Sequence, residues 1–461
     1  MPKQRIVVIG GGISGLLSAL VLTKEGHHVT VLEREEDLGG VCRSYNVGPY
    51  KVDTGPHIIT RLQSGPLRGL IDSYFDSVPV FVPHGEYYVC TKEKMRAFPW
   101  TLRKFAQFDI ISKTDRIEFM QAIMSIFSQR ALRMLDNNTS VHDAVKDRAL
   151  SPRTYDFIDT MCCFMTGTGM RHTPLTRFFD SMDYKNKKDV QDPLDYLNNI
   201  KNIITKKGAV DQQYPKGGVQ TLINTILSSI PRDLIDIRTS QEATRINIKE
   251  GAVNGVETTK GNVPADIVVY TSFVSELPQY VDDLPSSYAS GLESLHTVRS
   301  LTLWLGLDGH FFATDGSEIW IDSEPPCWIV STTNYDASLA PEGHQLVGIT
   351  TNLRQDMDIE QLKSKLLSEI YNRIPDIEEH IMMEHWQVLV PEKAAWTVGK
   401  EMPSCETPIK GLYLAGTDTM CKSMGVTRAA YSVNELIRVF KKEGYIVPRE
   451  KPSFTKYDTL D

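Results

Sequence analysis

The sequence predicts an α/β protein in which a Rossmann-like dinucleotide-binding domain is interleaved with a second, α+β domain. The run from Ile6 to Ile9 has the pattern of a strand buried on both faces, and a Gly-x-Gly-x-x-Gly turn follows it. Further along, helical and β-rich segments alternate without an internal repeat. A chain of 461 residues, 41% of them hydrophobic, can build two or three domains.

The N-terminal unit, residues 5 to 35, is predicted to contain a strand, a helix and a second strand. Its turn carries Gly10, Gly12 and Gly15. The first glycine allows the tight turn, the second lets the backbone approach a pyrophosphate, and the third permits close helix–strand packing. Glu33 closes the second strand, where a carboxylate can accept hydrogen bonds from ribose hydroxyls. The unit therefore predicts a bound dinucleotide, with its pyrophosphate at the helix N-terminus.

The segment from 100 to 210 is predicted to be mostly helical. Apolar residues recur in it at helical spacing and favour one core-facing side, with a lipid-lining or membrane-contacting side as the alternative. These residues are Met120, Ile123, Met124, Phe127, Ala131, Met134 and Leu135.

The second half of the chain is predicted to be richer in strands, with Gly-marked turns between 233 and 282 and strand-like runs from 296 to 352. A helix is expected at about 358 to 374, ending before Pro375, and another from about Val426 to Lys442. Residues 448 to 461 have little to bury and are expected to form a loose tail.

Charge and cysteine content exclude several classes of protein. The formal net charge is −8 and no long basic run could follow a phosphate backbone, so nucleic acid is not an expected partner. The seven cysteines are scattered without a CxxC pair, which predicts no metal site and a reducing, cytoplasmic setting. The first strand begins close to Met1, so no signal segment is expected, and no run stays apolar for the ~20 residues of a spanning helix.

A second glycine pair distinguishes the type of dinucleotide. In REEDLGGVCRSYNVGPYKVDTGPHII, Gly39 and Gly40 precede Arg43, so backbone amides and a guanidinium can reach the same pyrophosphate. Three blocks follow in order: YPKGG, then TRINIKEGAVNGV with ADIVVYTS, then GLYLAGTDTMCKSMGVTRAAYSVNEL. Together these motifs resemble the FAD-dependent amine oxidase and phytoene desaturase superfamily, over nearly the whole chain.

The resemblance implies a discontinuous, Rossmann-like FAD-binding domain of the GR2 type. Residues 1–60, 210–290 and 405–447 would form this domain. Residues 61–209 and 291–404 would form the substrate domain, a mixed sheet with helices.

The resemblance also implies roles for matched residues, but it identifies no catalytic residue. The expected cofactor-binding residues are Gly10, Gly12, Ser14 and Gly15 at the pyrophosphate; Glu33 at the adenosine ribose, with Arg34 beside it; Gly40 and Arg43 along the FAD; Gly55, Pro56, His57 and Ile58 beside the isoalloxazine ring; Ala243 at the adenine; Gly416 and Asp418 at the ribityl phosphate; and Gly425, Val426 and Thr427 at the flavin N1–C2=O edge. Amides of that last turn would stabilise reduced flavin. Neither Cys405 nor Cys421 lies in a flavin-attachment motif, so the FAD is expected to be non-covalent.

For other residues with reactive or aromatic side chains, the sequence favours a structural role over a catalytic one. The surroundings of His57 indicate loop geometry rather than proton transfer, and Cys162 and Cys163 are expected to be buried and inert. Lys216 is expected to have a positioning or surface role. Trp396 is left open between a residue of the flavin pocket and a core residue.

The expected reaction follows from one departure from the family. Many amine oxidases of the superfamily place a lysine at the start of the strand that matches VRSLTLWLGLDGHFF, where this chain has Arg299 or Ser300. Amine oxidation is therefore less expected. The YPKGG block, the mostly helical segment from 100 to 210 and the C-terminal block resemble the carotenoid and isoprenoid desaturase-like flavoproteins most, and GPHIIT with EKMRAFPW also resembles protoporphyrinogen-oxidase-like flavoproteins. We expect an FAD-dependent oxidoreductase that transfers hydride between flavin and an isoprenoid- or lipid-like substrate, as a desaturase, saturase or isomerase.

Three alternatives stay open. One is an amine or protoporphyrinogen oxidase. Another is a non-redox enzyme resembling UDP-galactopyranose mutase, for which Arg171, Arg177 and Arg299 are candidate diphosphate ligands. The third is a prenyl-binding carrier resembling the Rab GDP-dissociation inhibitors. The electron acceptor is not indicated, and peripheral contact with a membrane is left open.

Overall fold

The computed structural model describes residues 4–131, 136–177, 179–180 and 211–447. Met134 and Leu135 of the predicted apolar face, residues 181–210 of the predicted helical segment, and the predicted tail at 448–461 lie outside the described residues.

The strands, numbered along the chain, are β1 (Arg5–Ile9), β2 (His28–Leu32), β3 (Ser44–Val47), β4 (Tyr50–Asp53), β5 (Ile59–Thr60), β6 (Phe81–Pro83), β7 (Tyr87–Cys90), β8 (Met95–Ala97), β9 (Gln212–Pro215), β10 (Ile235–Arg238), β11 (Ala243–Lys249), β12 (Ala252–Thr258), β13 (Gly261–Val263), β14 (Ile267–Tyr270), β15 (Val298–Leu307), β16 (Ser317–Trp320), β17 (Cys327–Ser331), β18 (Gln345–Asn352), β19 (Ile381–Glu392) and β20 (Leu412–Leu414). The α-helices are α1 (Ile13–Lys24), α2 (Pro66–Tyr74), α3 (Leu102–Ala106), α4 (Lys113–Ala131), α5 (Val141–Val145), α6 (Pro152–Thr166), α7 (Gln220–Ser229), α8 (Ser286–Glu293), α9 (Ile359–Arg373) and α10 (Gly425–Lys442).

A five-stranded parallel sheet in the order β10-β2-β1-β14-β20 forms the centre of the dinucleotide-binding half. Side chains alternate between its two faces, and both faces are covered. Ile6 and Val8 pack with residues of α1, α2, α7 and α10, whereas Val7 and Ile9 pack with residues of β11 and β12. This double burial explains the continuous apolar run and confirms the predicted Rossmann-like α/β fold.

A seven-stranded mixed sheet, in the order β19-β15-β18-β17-β16-β7-β8, forms the second half. Its strand pairs are antiparallel except β16 with β7. Leu366 and Ile370 of α9 pack on one side with Leu303 of β15. Elsewhere along the sheet, Val89 and Ile319 pack with Phe157 and its neighbours from the helices α3 to α6.

The two helices predicted at about 358 to 374 and from about Val426 to Lys442 are observed with similar ends, as α9 and α10. Helix α9 begins after Asp358, whose side chain accepts a hydrogen bond from the Gln361 amide, and it ends at Arg373, before Pro375. Every helix among the described residues is too short or too polar to span a membrane.

The predicted core-facing side of α4 is only partly correct. Met124 is 48% exposed, so it does not belong to the core. The inward side of the helix is turned toward Phe119 and Ile126, which line the cavity together with Ile123. The regular spacing of apolar residues therefore could not identify the buried side on its own.

Candidate dinucleotide and substrate site

One cavity of about 1570 Å³ extends from the carboxyl edge of the parallel sheet to the helices α4 and α6. Gly10, Gly12 and Glu33 line it at the sheet, and Ile123 and Met161 line it at the helices. This volume exceeds the roughly 300–1,000 Å³ of common single-ligand pockets. The predicted cofactor positions therefore share one continuous space with a second region, which can take another molecule.

The three glycines of the first turn have different surroundings. Gly10 has φ +106°, where a side chain would be strained, and a Cβ there would lie 2.8 Å from Thr271 Oγ1. A Cβ on Gly12 would meet nothing within 4 Å, since this residue faces the open cavity. A Cβ on Gly15 would lie 1.9 Å from the Gly10 carbonyl oxygen. Gly15 is therefore needed for packing of α1 against β1 and does not itself line the cavity.

Glu33 is buried at the cavity edge and fixes the turn. Its Oε2 accepts a hydrogen bond from the Gly11 amide at 2.7 Å, and its Oε1 accepts one from the Glu35 amide at 2.9 Å. Each carboxylate oxygen can accept a further hydrogen bond, so the residue can also bind ribose hydroxyls. Arg34 lines the cavity next to it.

The second glycine pair packs directly on the first turn. The Gly39 amide donates to the Gly11 carbonyl at 2.8 Å, and a Cβ on Gly40 would lie 3.3 Å from the Gly12 Cα. Arg43 lines the cavity beside them; it forms an ion pair with Asp37 at 3.2 Å, and its buried Nε has no hydrogen-bond partner among the described residues. An unpaired buried donor at this position fits an anionic ligand such as a pyrophosphate.

The loop from Gly55 to Ile58, for which the family resemblance implied a place beside the flavin ring, also lines the cavity. The Gly55 amide donates to Gln387 Oε1 at 2.9 Å, which ties the loop to β19. His57 Nδ1 lies 2.8 Å from the Gly55 carbonyl oxygen, and its Nε2 lies 3.9 Å from Cys42 Sγ. These contacts agree with the interpretation of His57 as a residue that shapes the loop.

The N-terminus of α10 reaches the cavity through Gly425 and Val426. The Gly425 amide donates to Glu392, and Glu392 Oε2 forms an ion pair with Arg428 at 3.3 Å. Burial raises the pKa of Glu392, and Arg428 opposes that change. Thr427 does not line the cavity; its hydroxyl donates to the carbonyl of Thr60, which does, at 2.9 Å. The Glu392 carboxylate already takes up the Gly425 amide and the charge of Arg428, so the following amides of the α10 N-terminus are the groups that favour a partial negative charge in the adjoining part of the cavity.

Two further charged residues, Asp418 and Lys393, lie at the segment that joins β20 to α10. Asp418 is 1% exposed; its Oδ2 accepts from the Val274 amide at 2.8 Å, while its Oδ1 has no hydrogen-bond partner among the described residues. Lys393 donates to the carbonyls of Thr271 and Ser272 and lines the cavity. Burial lowers the pKa of Lys393, and the carboxylate of Asp418 opposes that change. Lys393 was not among the residues predicted from the sequence.

A buried ionic network borders the cavity. Asp180 Oδ2 accepts hydrogen bonds from Arg61 at 2.8 Å, from Arg177 at 3.2 Å and from the Ser423 amide at 2.8 Å. Arg61 and Arg177 both line the cavity, and both side chains are less than a tenth exposed. The two arginines therefore place positive charge beside the α10 N-terminus.

Beyond this network lies a region that we call the apolar chamber. Its walls come from α3, α4 and α6, and side chains of β16 and β17 close it. The residues that line it include Phe105, Phe119, Ile123, Ile126, Phe127, Phe157, Ile158, Met161 and Phe164. Such a lining favours an apolar ligand.

Most of the predicted cofactor residues therefore come together around one space. The cavity lining contains Gly10, Gly12, Ser14, Glu33, Arg34, Gly40, Arg43, Gly55, Pro56, His57, Ile58, Ala243, Gly425 and Val426, whereas Gly15, Gly416, Asp418 and Thr427 lie just outside it. Trp396 is buried and does not line the cavity. Cys163 does line it, but burial raises the pKa of its thiol to about 11. Lys216 is exposed.

These features fit the dinucleotide that the sequence motifs imply. Gly12 leaves open space at the turn, Arg43 Nε and Asp418 Oδ1 are buried polar atoms without partners among the described residues, and the first residues of α10, Gly425 and Val426, line the same cavity. The donors and acceptors are those needed for phosphates, ribose hydroxyls and a ring that accepts negative charge.

Comparison with known proteins agrees with this geometry. The family model for flavin-containing amine oxidoreductases matches residues 13–432. The chain is 23% identical to the 1-hydroxycarotenoid 3,4-desaturase of Flavobacterium sp. (strain P99-3) over 435 residues, which cover 84% of this chain and 86% of that protein. It is 24% identical to the phytoene dehydrogenase of Streptomyces griseus over 393 residues, covering 75% of this chain and 72% of that protein.

The fold also matches solved structures. The crystal structure of an oxidoreductase from Methanosarcina mazei superposes with a TM-score of 0.75 at 20% identity, over 94% of this chain and all of that chain (100%). The superfamily resemblance and the fold class predicted from the motifs are thus confirmed. The chain belongs to the flavin-containing amine oxidoreductase family and is an FAD-dependent oxidoreductase.

Proposed function

We propose that the protein binds FAD without a covalent bond and transfers hydride between the flavin and an apolar, isoprenoid-like substrate. The single observation that carries this proposal is the continuity of the cavity, in which the predicted flavin positions open directly into the apolar chamber. Bound flavin supplies reversible hydride transfer. The chain itself contributes binding, orientation and exclusion of water.

For the cofactor, we propose the residues that the family resemblance implied, with Lys393 added. Gly12, Gly40 and Arg43 hold the pyrophosphate, and Glu33 binds the adenosine ribose. The unpaired Asp418 Oδ1 supports a role as an acceptor for a hydroxyl or for a water beside the ribityl chain. The amides of the α10 N-terminus stabilise negative charge on the ring.

The positions and the thiol pKa values of four cysteines support non-covalent binding of the FAD. Cys405 and Cys421 do not line the cavity. Cys42 and Cys163 do, but burial raises the pKa of Cys42 to about 12 and that of Cys163 to about 11. Because the thiolate is the reactive form of cysteine, neither is well suited to attack a flavin.

For the substrate, we propose a desaturation, saturation or isomerisation of a long apolar molecule. The aromatic and aliphatic walls of the apolar chamber support a ligand without many polar groups. Relatives named as a carotenoid desaturase, a phytoene dehydrogenase and a prolycopene isomerase support the same class. Amine oxidation has less support, because the first strand residue facing the cavity after Val298 is Ser300 and not lysine.

Three further expectations stay proposals. Residues 1–60, 210–290 and 405–447 would form the FAD domain, which the origin of the parallel strands supports. The remaining pieces, 61–209 and 291–404, would form the substrate domain.

Exposed Ile117 and Met124 on α4, next to the apolar chamber, support peripheral contact with a membrane from which substrate could enter. Free cysteines throughout support a reducing, cytoplasmic setting.

The test is an anaerobic titration that follows the absorbance of the bound flavin. Polyprenoids, amines, porphyrinogens and UDP-sugars are added first to oxidised and then to dithionite-reduced protein. We expect a change only with polyprenoids. Bleaching by an amine alone would overturn the substrate class. Turnover of a UDP-sugar by the reduced protein, without net electron transfer, would establish the mutase alternative instead.

A further inference from the structure

Arg177 is a buried cation of the cavity with weak pairing. Among the described residues its only carboxylate hydrogen-bond partner is Asp180 Oδ2, at 3.2 Å, and the same oxygen also accepts from Arg61 and from the Ser423 amide at 2.8 Å each. Its Nη2 donates to the Met165 carbonyl at the long distance of 3.4 Å. Its Nε is buried and has no hydrogen-bond partner in the described part of the chain. Arg177 thus has capacity to bind a further acceptor.

Arg177 lies between the proposed flavin position and the apolar chamber. Through Asp180 it is linked to Ser423 and so to the turn that begins α10, where the flavin ring is proposed to lie. Through Met165 it touches the last turn of α6, whose side chains Met161 and Phe164 line the apolar chamber. A group bound by Arg177 would therefore belong to a substrate that occupies the chamber.

The electrostatic setting favours an anion at this position. The charged groups around Arg177 are Asp180, Arg428, Arg61 and Glu392. Burial is the main cause that lowers the pKa of Arg177, to about 10, so the side chain is still charged near neutral pH. A buried guanidinium that shares its carboxylate with another arginine gains most from a carboxylate or phosphate, because these bind in two-pronged, charge-assisted pairs.

We propose that Arg177 binds an anionic group, a carboxylate or a phosphate ester, carried by an otherwise apolar substrate. This inference rests on the proposed function in one respect, namely that the apolar chamber holds the substrate. It narrows the substrate class from a pure hydrocarbon to an amphipathic molecule whose polar end lies beside the ionic network while its chain fills the chamber.

The test compares three ligands of one chain length on the flavin-loaded protein by calorimetry. The probes are geranylgeraniol, geranylgeranoic acid and geranylgeranyl monophosphate, each below its aggregation limit. We expect the acid or the phosphate to bind at least tenfold more tightly than the alcohol, and the preferred one identifies the anion. In Arg177→Gln this preference should disappear while the affinity for the alcohol stays within twofold. Arg177→Lys should retain part of the preference.

The matched control is Arg171→Gln, because Arg171 is exposed and does not line the cavity. It should leave all three affinities within twofold. The inference is overturned if the wild-type protein shows no preference for an anionic probe, or if Arg177→Gln weakens all three probes equally. If Arg177→Gln does not fold, the inference is tested by the preference of the wild-type protein for an anionic probe and by the reduced preference expected of Arg177→Lys.

Failure of this inference can be told apart from failure of the proposed function. If the acid binds through Arg177 but no isoprenoid ever changes the flavin absorbance, the redox proposal fails and the anion subsite stands. If uncharged polyprenoids are turned over and Arg177→Gln has no effect on any probe, the redox proposal stands and the subsite is overturned.

Discussion

Gly12 and Gly15 lie three residues apart on one turn, yet a side chain would have opposite consequences at the two positions. At Gly15 a Cβ would overlap the Gly10 carbonyl oxygen at 1.9 Å, so the fold itself requires glycine. At Gly12 a Cβ would meet nothing within 4 Å, and the backbone has φ −74°, which any residue can adopt. The fold itself therefore does not require glycine at this position, whereas a pyrophosphate that approaches the backbone there would.

Gly12→Val should therefore lower the free energy of unfolding of the cofactor-free protein by only about 1 kcal/mol, because valine is a poorer helix N-cap than glycine. It should abolish FAD binding, because the valine methyls would occupy the pyrophosphate position. Thermal unfolding and fluorescence titration with FAD measure the two effects. Gly69→Ala is the control, since Gly69 is exposed on α2 and a Cβ there also meets nothing within 4 Å. Tight FAD binding by Gly12→Val would show that the turn does not hold the cofactor.

Lys393 illustrates a site residue that the sequence does not reveal. It follows Glu392 at the end of β19, far along the chain from the glycine turn, and no local motif marks it. Its ammonium group lies against Thr271 and Ser272, beside the turn that Gly10 forms. The pairing of β14 with β1 places Thr271 beside the glycine turn, and the hydrogen bonds of Lys393 to Thr271 and Ser272 bring the end of β19 to the same place.

Lys393→Gln should weaken FAD binding by about tenfold, or about 1.4 kcal/mol, because a partly buried cation next to the pyrophosphate is lost. The dissociation constant is measured by equilibrium titration at low and at high salt. Lys216→Gln, which changes an exposed lysine, should have no effect. An unchanged dissociation constant for Lys393→Gln would remove this residue from the cofactor site.

His84 should make stability depend on pH. Burial lowers its pKa from 6.5 to about 4, and its Nε2 lies 2.8 Å from Ser317 Oγ. Between these two pKa values the unfolded chain binds a proton that the folded chain does not, so the free energy of unfolding falls as the pH falls. From pH 7 to pH 5 the loss from this group is about 2 kcal/mol.

Urea unfolding at the two pH values tests this in wild type and in His84→Gln. The variant should lose less stability than wild type on acidification, by about 2 kcal/mol. His310→Gln, at an exposed histidine, should behave as wild type. Equal losses in wild type and in the His84 variant would mean that this imidazole takes up its proton in the folded state at its ordinary pKa.

At the scale of elements, helix α4 connects the cavity to the outer surface. Ile123 lines the apolar chamber, whereas the next residue, Met124, is 48% exposed. The predicted spacing placed both on one face. They differ because the chamber, which no local pattern encodes, is formed only when α3, α4 and α6 pack together around it.

Ile123→Glu should block the response of the flavin absorbance to polyprenoids without releasing flavin, because a carboxylate in the apolar chamber is unfavourable for an apolar ligand. Met124→Glu is the matched control and should respond as wild type in detergent solution. Flavin content and anaerobic titration are measured on both variants. A normal response of Ile123→Glu would place the substrate outside the chamber.

At the scale of the whole molecule, the sequence predicts the fold class correctly, and most of the residues that it proposes for the cofactor line one cavity, because both depend on local patterns. A buried strand, a glycine turn and a carboxylate at the end of β2 lie within 35 residues, and the corresponding geometry is observed. The ionic network of Arg61, Arg177 and Asp180 is not predicted, because its members meet only through long-range packing.

All the proposed chemistry depends on the cavity holding one FAD per chain without a covalent bond. The most direct measurement is the flavin-to-protein ratio of the purified protein, followed by identification of the flavin after acid precipitation. We predict a yellow protein that releases one FAD per chain into the supernatant. A colourless protein that cannot be reconstituted with FAD would contradict this prediction, and flavin retained in the precipitate would contradict its non-covalent part.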